Sequence, residues 1–583
     1  MQVSLWNASY LLILSLSSAV TPGLFAQAQQ ATSSEPVPTI RVNTRLVLVD
    51  VVVTDKSGKP VPGLKAEDFT LQEKGKNQKV TFFTSAAPKA QVTAPTLPPG
   101  IYSNQPEYRS PGGPISVIVL DALNTPFKDQ AYARLQMLLF VREQYQRGQR
   151  TAVLTLTNSL GVLQDFTGDS EVLLQALQKY RPQEPQSSTT VLPRPPSQSS
   201  DRGPAAQQAA NAMAQRIQAF QDIQVAYIDE RRIQVTLEGM RGLARFLGGI
   251  PGRKSVIWVT ASFPFSIIPE NKAVTDAEMA ESLPTISQLS LGTRASGTVA
   301  SAHRTSHLQE IREVSAQLSS AQVAIYPVDA RGLISGMEGT MEDLPSRRFR
   351  SMDESALSNI SDVTASQETM KEMARETGGI AYVNQNEIKQ GVAVAMDDAV
   401  ASYTIGYYPE DKKWDGKYRT IKVKVSRDSV DCRYRKGYFA IDSTELKDRK
   451  PEQEVAEALQ EQAPATFVTF KAQIKPTEKG VGVDFLVDSQ TVSVEDVSGG
   501  RKKLNLALYA AMFSPDGKML GNKSMKVDQA FDAETYQKIL QQGMFMHLDL
   551  DQPPSKGNEV RMAVRDNRTG HIGTLAAPAS PTQ

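Results

Sequence analysis

The sequence is short of cysteine, of net charge and of long apolar runs. Cys432 is the only thiol in 583 residues. A lone cysteine closes no internal disulfide, so each domain must stand on its own hydrophobic core. No histidine lies near Cys432 in sequence, which makes it a half-buried strand residue rather than a nucleophile. The 64 Lys and Arg residues nearly cancel the 63 Asp and Glu residues. That balance removes any whole-chain case for binding nucleic acid or an anionic membrane surface. The apolar run around Leu11-Leu-Ile-Leu-Ser-Leu is about ten residues, too short to cross a bilayer. With Pro22-Gly23 and Ala26-Gln27-Ala28 after it, the run reads as a secretory signal peptide over residues 1–28, cut after Ala28, although no Lys or Arg precedes it. No later segment reaches spanning length, so the mature chain is expected to have no transmembrane segment and to be exported: periplasmic, on the cell surface or secreted. Phosphate-binding glycine loops are lacking too. Pro251-Gly-Arg-Lys-Ser255 looks like one but precedes a strand, whereas a phosphate cradle follows a strand and opens a helix.

A chain of this length implies three or four domains. Residues 38–86 hold short strands with turns at Ser57-Gly-Lys-Pro and Pro62-Gly-Leu, the spacing of a β-sandwich or half of one. Residues 86–113, rich in Pro, Gly, Ser and Gln, read as a linker. From Ile115 to residue 402 apolar strands (115–120, 151–157, 255–260, 323–328 and 380–383) alternate with helical segments near 129–147, 169–180, 207–247, 305–320, 366–377 and 387–400. Val162-Leu-Gln-Asp-Phe166 adds a short edge strand. Such alternation argues for a mostly parallel sheet with helices on both faces, an α/β domain over 112–402. Polar insertions interrupt it at 181–205, 263–300 and 335–365. Strand periodicity returns over 403–440, a helical linker follows at 441–464, and 465–578 reads as a C-terminal β-sandwich. Neither 38–86 nor 403–440 makes a sandwich alone, so the two segments are expected to complete one another.

Six short words occur in order: Gly58-Lys-Pro-Val-Pro-Gly-Leu64 with Glu67-Asp-Phe69, Pro251-Gly-Arg-Lys-Ser255, Ile325-Tyr-Pro-Val-Asp-Ala-Arg-Gly-Leu333, Glu376-Thr-Gly-Gly379, Tyr403-Thr-Ile-Gly-Tyr-Tyr-Pro409 and Arg435-Lys-Gly-Tyr-Phe439. Through them the chain resembles, over nearly its whole mature length, the bacterial secreted proteins with a von Willebrand factor A (VWA)-related domain, acidobacterial type. The resemblance implies a multidomain fold in which a doubly wound α/β (VWA/Rossmann-like) domain is flanked by β-sandwich (Ig-like) domains. It implies little about activity.

VWA domains that hold a divalent ion use an Asp-x-Ser-x-Ser loop after the first strand, a Thr from a second loop and an Asp after the fourth strand. Hydroxyls and one or two carboxylates then leave one position of an octahedral Mg²⁺ free for a partner's carboxylate. Here the first loop is Asp121-Ala-Leu-Asn-Thr125. Asp121 and Thr125 fit, Leu123 replaces a hydroxyl and Ala261 stands where the second carboxylate belongs. Thr189 or Thr190 is the candidate from the second loop, and Asn124 has an oxygen to lend. Asp329 ends the fifth strand, but in the usual order 3-2-1-4-5-6 it lies two strands, about 10 Å, from Asp121. What remains is a degenerate adhesion site with at most a loose Mg²⁺ or Ca²⁺; without an ion, Asp121 caps its own loop by accepting backbone N–H bonds. Asn124, Thr189, Thr190, Ser262, Asp329 and Arg331 mark the expected binding edge, with Arg331 paired to Asp329.

Two catalytic templates compete for these residues. A phosphatase with Asp-x-Asp-x-Thr after a strand accommodates Asp121 and Thr125, but Leu123 removes its general acid. His303-Arg-Thr-Ser-His307 with Glu310 puts three candidate ligands on one helix face, but lacks the glutamate base of a His-Glu-x-x-His site and reads as a solvent-facing helix start. The expectation is a non-catalytic exported protein that binds a protein partner in the cell envelope; the alternative is a metal-assisted hydrolase or phosphatase using Asp121.

Overall fold

The computed structural model describes residues 46–85, 96–109, 114–145, 149–183, 204–265, 308–332, 354–385, 387–441 and 450–579. The signal-peptide segment, Thr189, Thr190, His303 and His307 lie outside these residues. The protein is multidomain and mixed α/β, with five sheets among the described residues.

The central sheet contains β1 (Ile115–Asp121), β2 (Arg150–Leu156), β3 (Leu160–Thr167), β4 (Lys254–Thr260) and β5 (Val323–Asp329). The spatial order is β5-β4-β1-β2-β3; β3 is antiparallel at the edge and the rest are parallel. Six helices accompany it: α1 (Phe127–Glu143), α2 (Ser170–Lys179), α3 (Pro204–Leu247), α4 (Leu308–Ser320), α5 (Glu354–Thr377) and α6 (Ile388–Val400). Alternate strand residues divide between two cores. Val117, Val119, Leu154, Val256, Trp258 and Ile325 pack with α3, α4 and α5. Ile118, Leu120, Val153, Ile257, Val259 and Tyr326 pack with α1, α2 and α6. A strand covered on both faces is mostly apolar, and β1, β4 and β5 are buried throughout, with polar residues such as Ser116, Lys254, Ser255, Thr260 and Asp329 mainly toward their ends.

Two expectations are corrected. Helix α5 begins at Glu354, well before residue 366. The segment 380–383 does not form a sixth strand: it makes one parallel bridge, Val328 to Tyr382, before Asn384 at φ 56° turns the chain away.

Val47–Asp55 pairs with Ser402–Tyr407 and Val430–Arg433, and Phe82–Ser85 adds to the same sheet. A facing sheet joins Phe69–Glu73 and Lys76–Gln78 to Tyr418–Val425 and Gly437–Phe439. Both enclose one core that includes Val49, Val51, Leu71, Ile405 and Val423. Two further sheets share the core of the C-terminal domain. One of them takes in part of the segment expected to be only a linker: Ile101–Ser103 pairs with Phe470–Pro476 as an edge strand. Next to it, buried Asn104 donates from Nδ2 to the Ala465 and Val468 carbonyls and accepts from the Phe470 N–H. Three residues are too few for alternation to be legible, which is why composition alone marks this stretch as loop.

At the amino ends of β4 and β5 the α/β domain meets the sheets of residues 47–85 and 402–439. Arg433 holds Asp398 through two N–H bonds (2.5 and 2.7 Å), and the Tyr326 hydroxyl donates to the same carboxylate at 2.8 Å. Gln322 Nε2 donates to Asp50 Oδ1 at 2.9 Å. Arg253 donates to the Gly378 carbonyl at 2.6 Å. Lys254, buried beside them, donates from Nζ to the Ile250 carbonyl at 2.7 Å. Burial pushes its pKa down to about 7, with the Asp50 charge opposing the shift. The unfolded chain keeps this proton to about pH 10.4, whereas the folded chain releases it near 7. Between those limits the folded state binds fewer protons, so raising the pH favours folding. Unfolding free energy is expected to rise by up to about 1.4 kcal/mol per pH unit between pH 7.5 and 10 relative to Lys254→Met. Urea titrations of both proteins across that range check it; parallel pH profiles would refute it.

Candidate functional site

Asp121 ends β1 at the carboxyl edge of the sheet, opposite the junction just described. The loop after it is drawn onto β2: the N–H groups of Ala122 and Leu123 both donate to the Leu156 carbonyl, at 2.9 and 3.1 Å. Leu123 turns into the apolar core rather than toward the edge. Asn124 then folds back on Asp121, its N–H donating to Oδ1 at 2.9 Å and its Nδ2 to Oδ2 at 3.0 Å. Trp258, fully buried on the neighbouring strand β4, donates from Nε1 to the same Oδ2 at 3.0 Å.

The carboxylate is therefore held by three N–H donors and is shut off from solvent. Its pKa is raised, because burial penalises the charge more than the bonds from Trp258 and Asn124 offset it. Burial, with the Asp121 charge adding to it, pushes Tyr180 up to about 12.

Each neighbour is similarly engaged. Asn124 accepts from Arg232 Nε at 3.1 Å and donates to Thr236 Oγ1 at 3.0 Å, which ties the loop to α3. Thr125 Oγ1 accepts the Ala261 N–H at 3.1 Å. Ser262 closes a small turn with Thr260: its N–H donates to Thr260 Oγ1 at 3.2 Å, and its carbonyl accepts from that hydroxyl at 2.8 Å. Asp329 is buried two strands away and is gripped by Arg331 through Nε and Nη2, both at 2.8 Å, and by Gln367 Nε2 at 3.1 Å. The structure thus brings Asp121, Asn124 and Thr125 together, and places Asp329 with Arg331 in a separate ion pair. Glu310, the described member of the histidine-containing segment, pairs with Arg241 at 3.0 Å.

Two residues that the spacing of motifs does not mark complete the arrangement. Trp258 carries a detectable signal, since an indole in the middle of a buried strand needs an acceptor for its N–H. Gln130 carries none. Its Nε2 lies 2.7 Å from the Thr125 carbonyl and 2.8 Å from that of Gln183, and its Oε1 accepts from the Tyr180 hydroxyl and the Gln183 N–H. It pins the start of α1 to the loop before it and to the chain after α2.

A divalent ion fits these residues badly. Mg²⁺ requires a shell of oxygens, whereas the space in front of Asp121 Oδ2 is taken by the indole and amide N–H groups, and Leu123 and Ala261 supply no side-chain oxygen. Among the described residues no group of three or more His, Cys, Asp or Glu side chains converges. Nor is any described helix long and apolar enough to cross a membrane.

No known family matches the sequence, and no curated protein matches it. Thirteen solved chains share partial likeness, and two of them illustrate it. An aerotolerance-related membrane protein from Bacteroides fragilis with multiple mutations to serines is 11% identical over 49% of this chain and 98% of its own, with a TM-score of 0.22. A point mutant of the PilB minor pilin from Streptococcus sanguinis is 10% identical over 49% of this chain and 61% of its own, with a TM-score of 0.25.

Proposed function

We propose that this is a non-catalytic exported binding protein of the cell envelope, in which a doubly wound VWA-type domain between β-sandwiches presents the carboxyl edge of its sheet to a protein partner without a metal ion. The observation that carries this reading is the sealed Asp121 carboxylate. A nucleophile or an ion ligand must present a lone pair to an incoming group, and here three N–H bonds from Asn124 and Trp258 occupy most of the carboxylate in a site closed to solvent. Two further observations fit. The sheets of residues 47–85 and 402–439 grip the opposite edge, which leaves the carboxyl edge clear of that junction. Phe127, the first residue of α1 beyond the loop, is 45% exposed, the kind of aromatic anchor that protein interfaces favour.

The test is thermal unfolding of the protein with a chelator and with millimolar Mg²⁺, Mn²⁺ or Ca²⁺. An ion that binds only the folded state raises the midpoint in proportion to its occupancy, and the expected midpoint is the same in all four conditions. A concentration-dependent rise would restore the metal-dependent adhesion site. Hydrolysis of a phosphoester that Asp121→Asn abolishes would replace the binding reading with the hydrolase one.

A further inference from the structure

Helix α3 runs for 44 residues, and among its described side chains the buried apolar row, Ile233, Leu237, Met240, Ala244 and Leu247, begins where Arg232 meets the Asp121 loop. The preceding 28 residues, 204–231, extend about 42 Å past the carboxyl edge at the helical rise of 1.5 Å per residue. A helix this long needs a packed face to persist in water. Its sequence supplies one: Ala206, Ala210, Met213, Ile217, Phe220, Gln224 and Tyr227 follow one another at spacings of 4, 3, 4, 3, 4 and 3. That is the 3.5-residue repeat of a coiled-coil seam. The row is not a continuation of the buried one. Carried upward at the same spacing, the buried row passes through Ala226, one residue and roughly 100° around the helix from Tyr227. Met213 is 64% exposed and Tyr227 65%, and Gln224 is exposed as well, so the seam faces solvent at these three residues.

We propose that this seam is a dimerisation surface and that its occupant is the same helix of a second copy of this chain, parallel and in register. The pattern selects that partner. Gln224 is the single polar residue of the seam, and only parallel in-register pairing sets it against itself, where two amides can bond to each other. An antiparallel pairing at full overlap sets Gln224 against Ala206 or Met213, leaving a polar group without a partner, and one polar seam residue is the usual means of fixing register. Flanking positions agree: Arg216 would face Gln221 of the second copy and Ile223 would face Ile228, so no like charges meet. The row stops at Arg231, where two guanidinium groups would oppose each other and where the domain body begins. The exposed Tyr227 and Met213 side chains would form the centre of the contact, and pairing along the full length of the seam would be needed to reach the ~1,000 Å² of a specific interface. A parallel pair sets two carboxyl edges side by side, giving a bivalent grip on a repeated partner.

Light scattering of the full chain is expected to give twice the single-chain mass at micromolar concentration. Met213→Glu with Tyr227→Glu alters only exposed side chains, and should weaken association at least a hundredfold without moving the thermal midpoint. Gln224→Cys in a Cys432→Ser background, where it supplies the only thiol, should form a covalent dimer on oxidation. A single-chain mass for the unaltered protein would overturn the proposal, and so would a dimer that survives the double glutamate change. A dimer that forms but fails to cross-link through residue 224 would overturn the parallel register.

Discussion

Gly379→Ala is expected to cost the fold more than about 3 kcal/mol, seen as a large fall in the urea midpoint. A methyl there would lie 2.0 Å from the Ile325 carbonyl oxygen and 2.8 Å from its carbon. These are backbone atoms of β5, which is held along its whole length by parallel pairing to β4, so the obstacle cannot rotate away as a side chain would. The preceding Gly378 has φ +81°, and a methyl on it would meet the Arg435 backbone nitrogen at 2.8 Å. Gly416 provides the control. It shares the positive φ but has open space where a methyl would go, so Gly416→Ala should lose only the ~1–2 kcal/mol of the left-handed conformation itself. If Gly379→Ala falls within 1 kcal/mol of the unaltered protein, the close approach is not structural.

The position of Gly379 explains which parts of the molecule were legible in the sequence. Pro251–Ser255, Glu376–Gly379, Tyr403–Pro409 and Arg435–Phe439 are separated by long stretches of chain, yet they converge at the amino edge of the α/β sheet and the sheets beside it. Arg253 bonds the Gly378 carbonyl, Gly378 lies against the Arg435 backbone, and Glu376 accepts from the Tyr418 hydroxyl. Tyr407 and Tyr438 both donate to the buried Glu73 carboxylate, at 2.6 and 3.0 Å. The recognisable words therefore encode a junction, where glycine, arginine and tyrosine are fixed by close backbone approach and buried hydrogen bonds. These four identify an architecture and say little about chemistry, because they lie at the wrong end of the sheet for binding; of the six words only Ile325–Leu333 reaches the carboxyl edge, with Asp329 and Arg331. The strands of the α/β domain were legible for a simpler reason: burial on both faces leaves continuous apolar runs. The strand at Ile101–Ser103 was not, because its partner comes from the C-terminal domain and three residues carry no period. At the candidate site Asp121 and Thr125 were legible by position after a strand. Gln130 was not, since a buried glutamine that bonds backbone carbonyls looks in sequence like any exposed helical glutamine.

Trp258→Phe is the second large expectation, and it separates two explanations of why Asp121 would hold no ion. The change removes the indole N–H from a buried carboxylate, a bond to a charged group worth about 1.5–3 kcal/mol, and also part of the ring that packs against Phe263. A loss of about 3 kcal/mol in unfolding free energy at neutral pH is expected. Its pH dependence follows from the raised Asp121 pKa. The folded carboxyl holds its proton above the unfolded value, so stability declines as pH rises from the unfolded pKa to the folded one. Losing a donor that stabilises the charge widens that window upward, and the deficit of Trp258→Phe should shrink as the pH is lowered toward 4. The variant also opens the space in front of Oδ2 while leaving Leu123 and Ala261 without oxygens. If missing ligands exclude the ion, Mg²⁺ will not restore the lost stability. Recovery with millimolar Mg²⁺ would mean instead that the indole alone keeps the ion out, and that the carboxyl edge of this sheet is one substitution away from a working metal site.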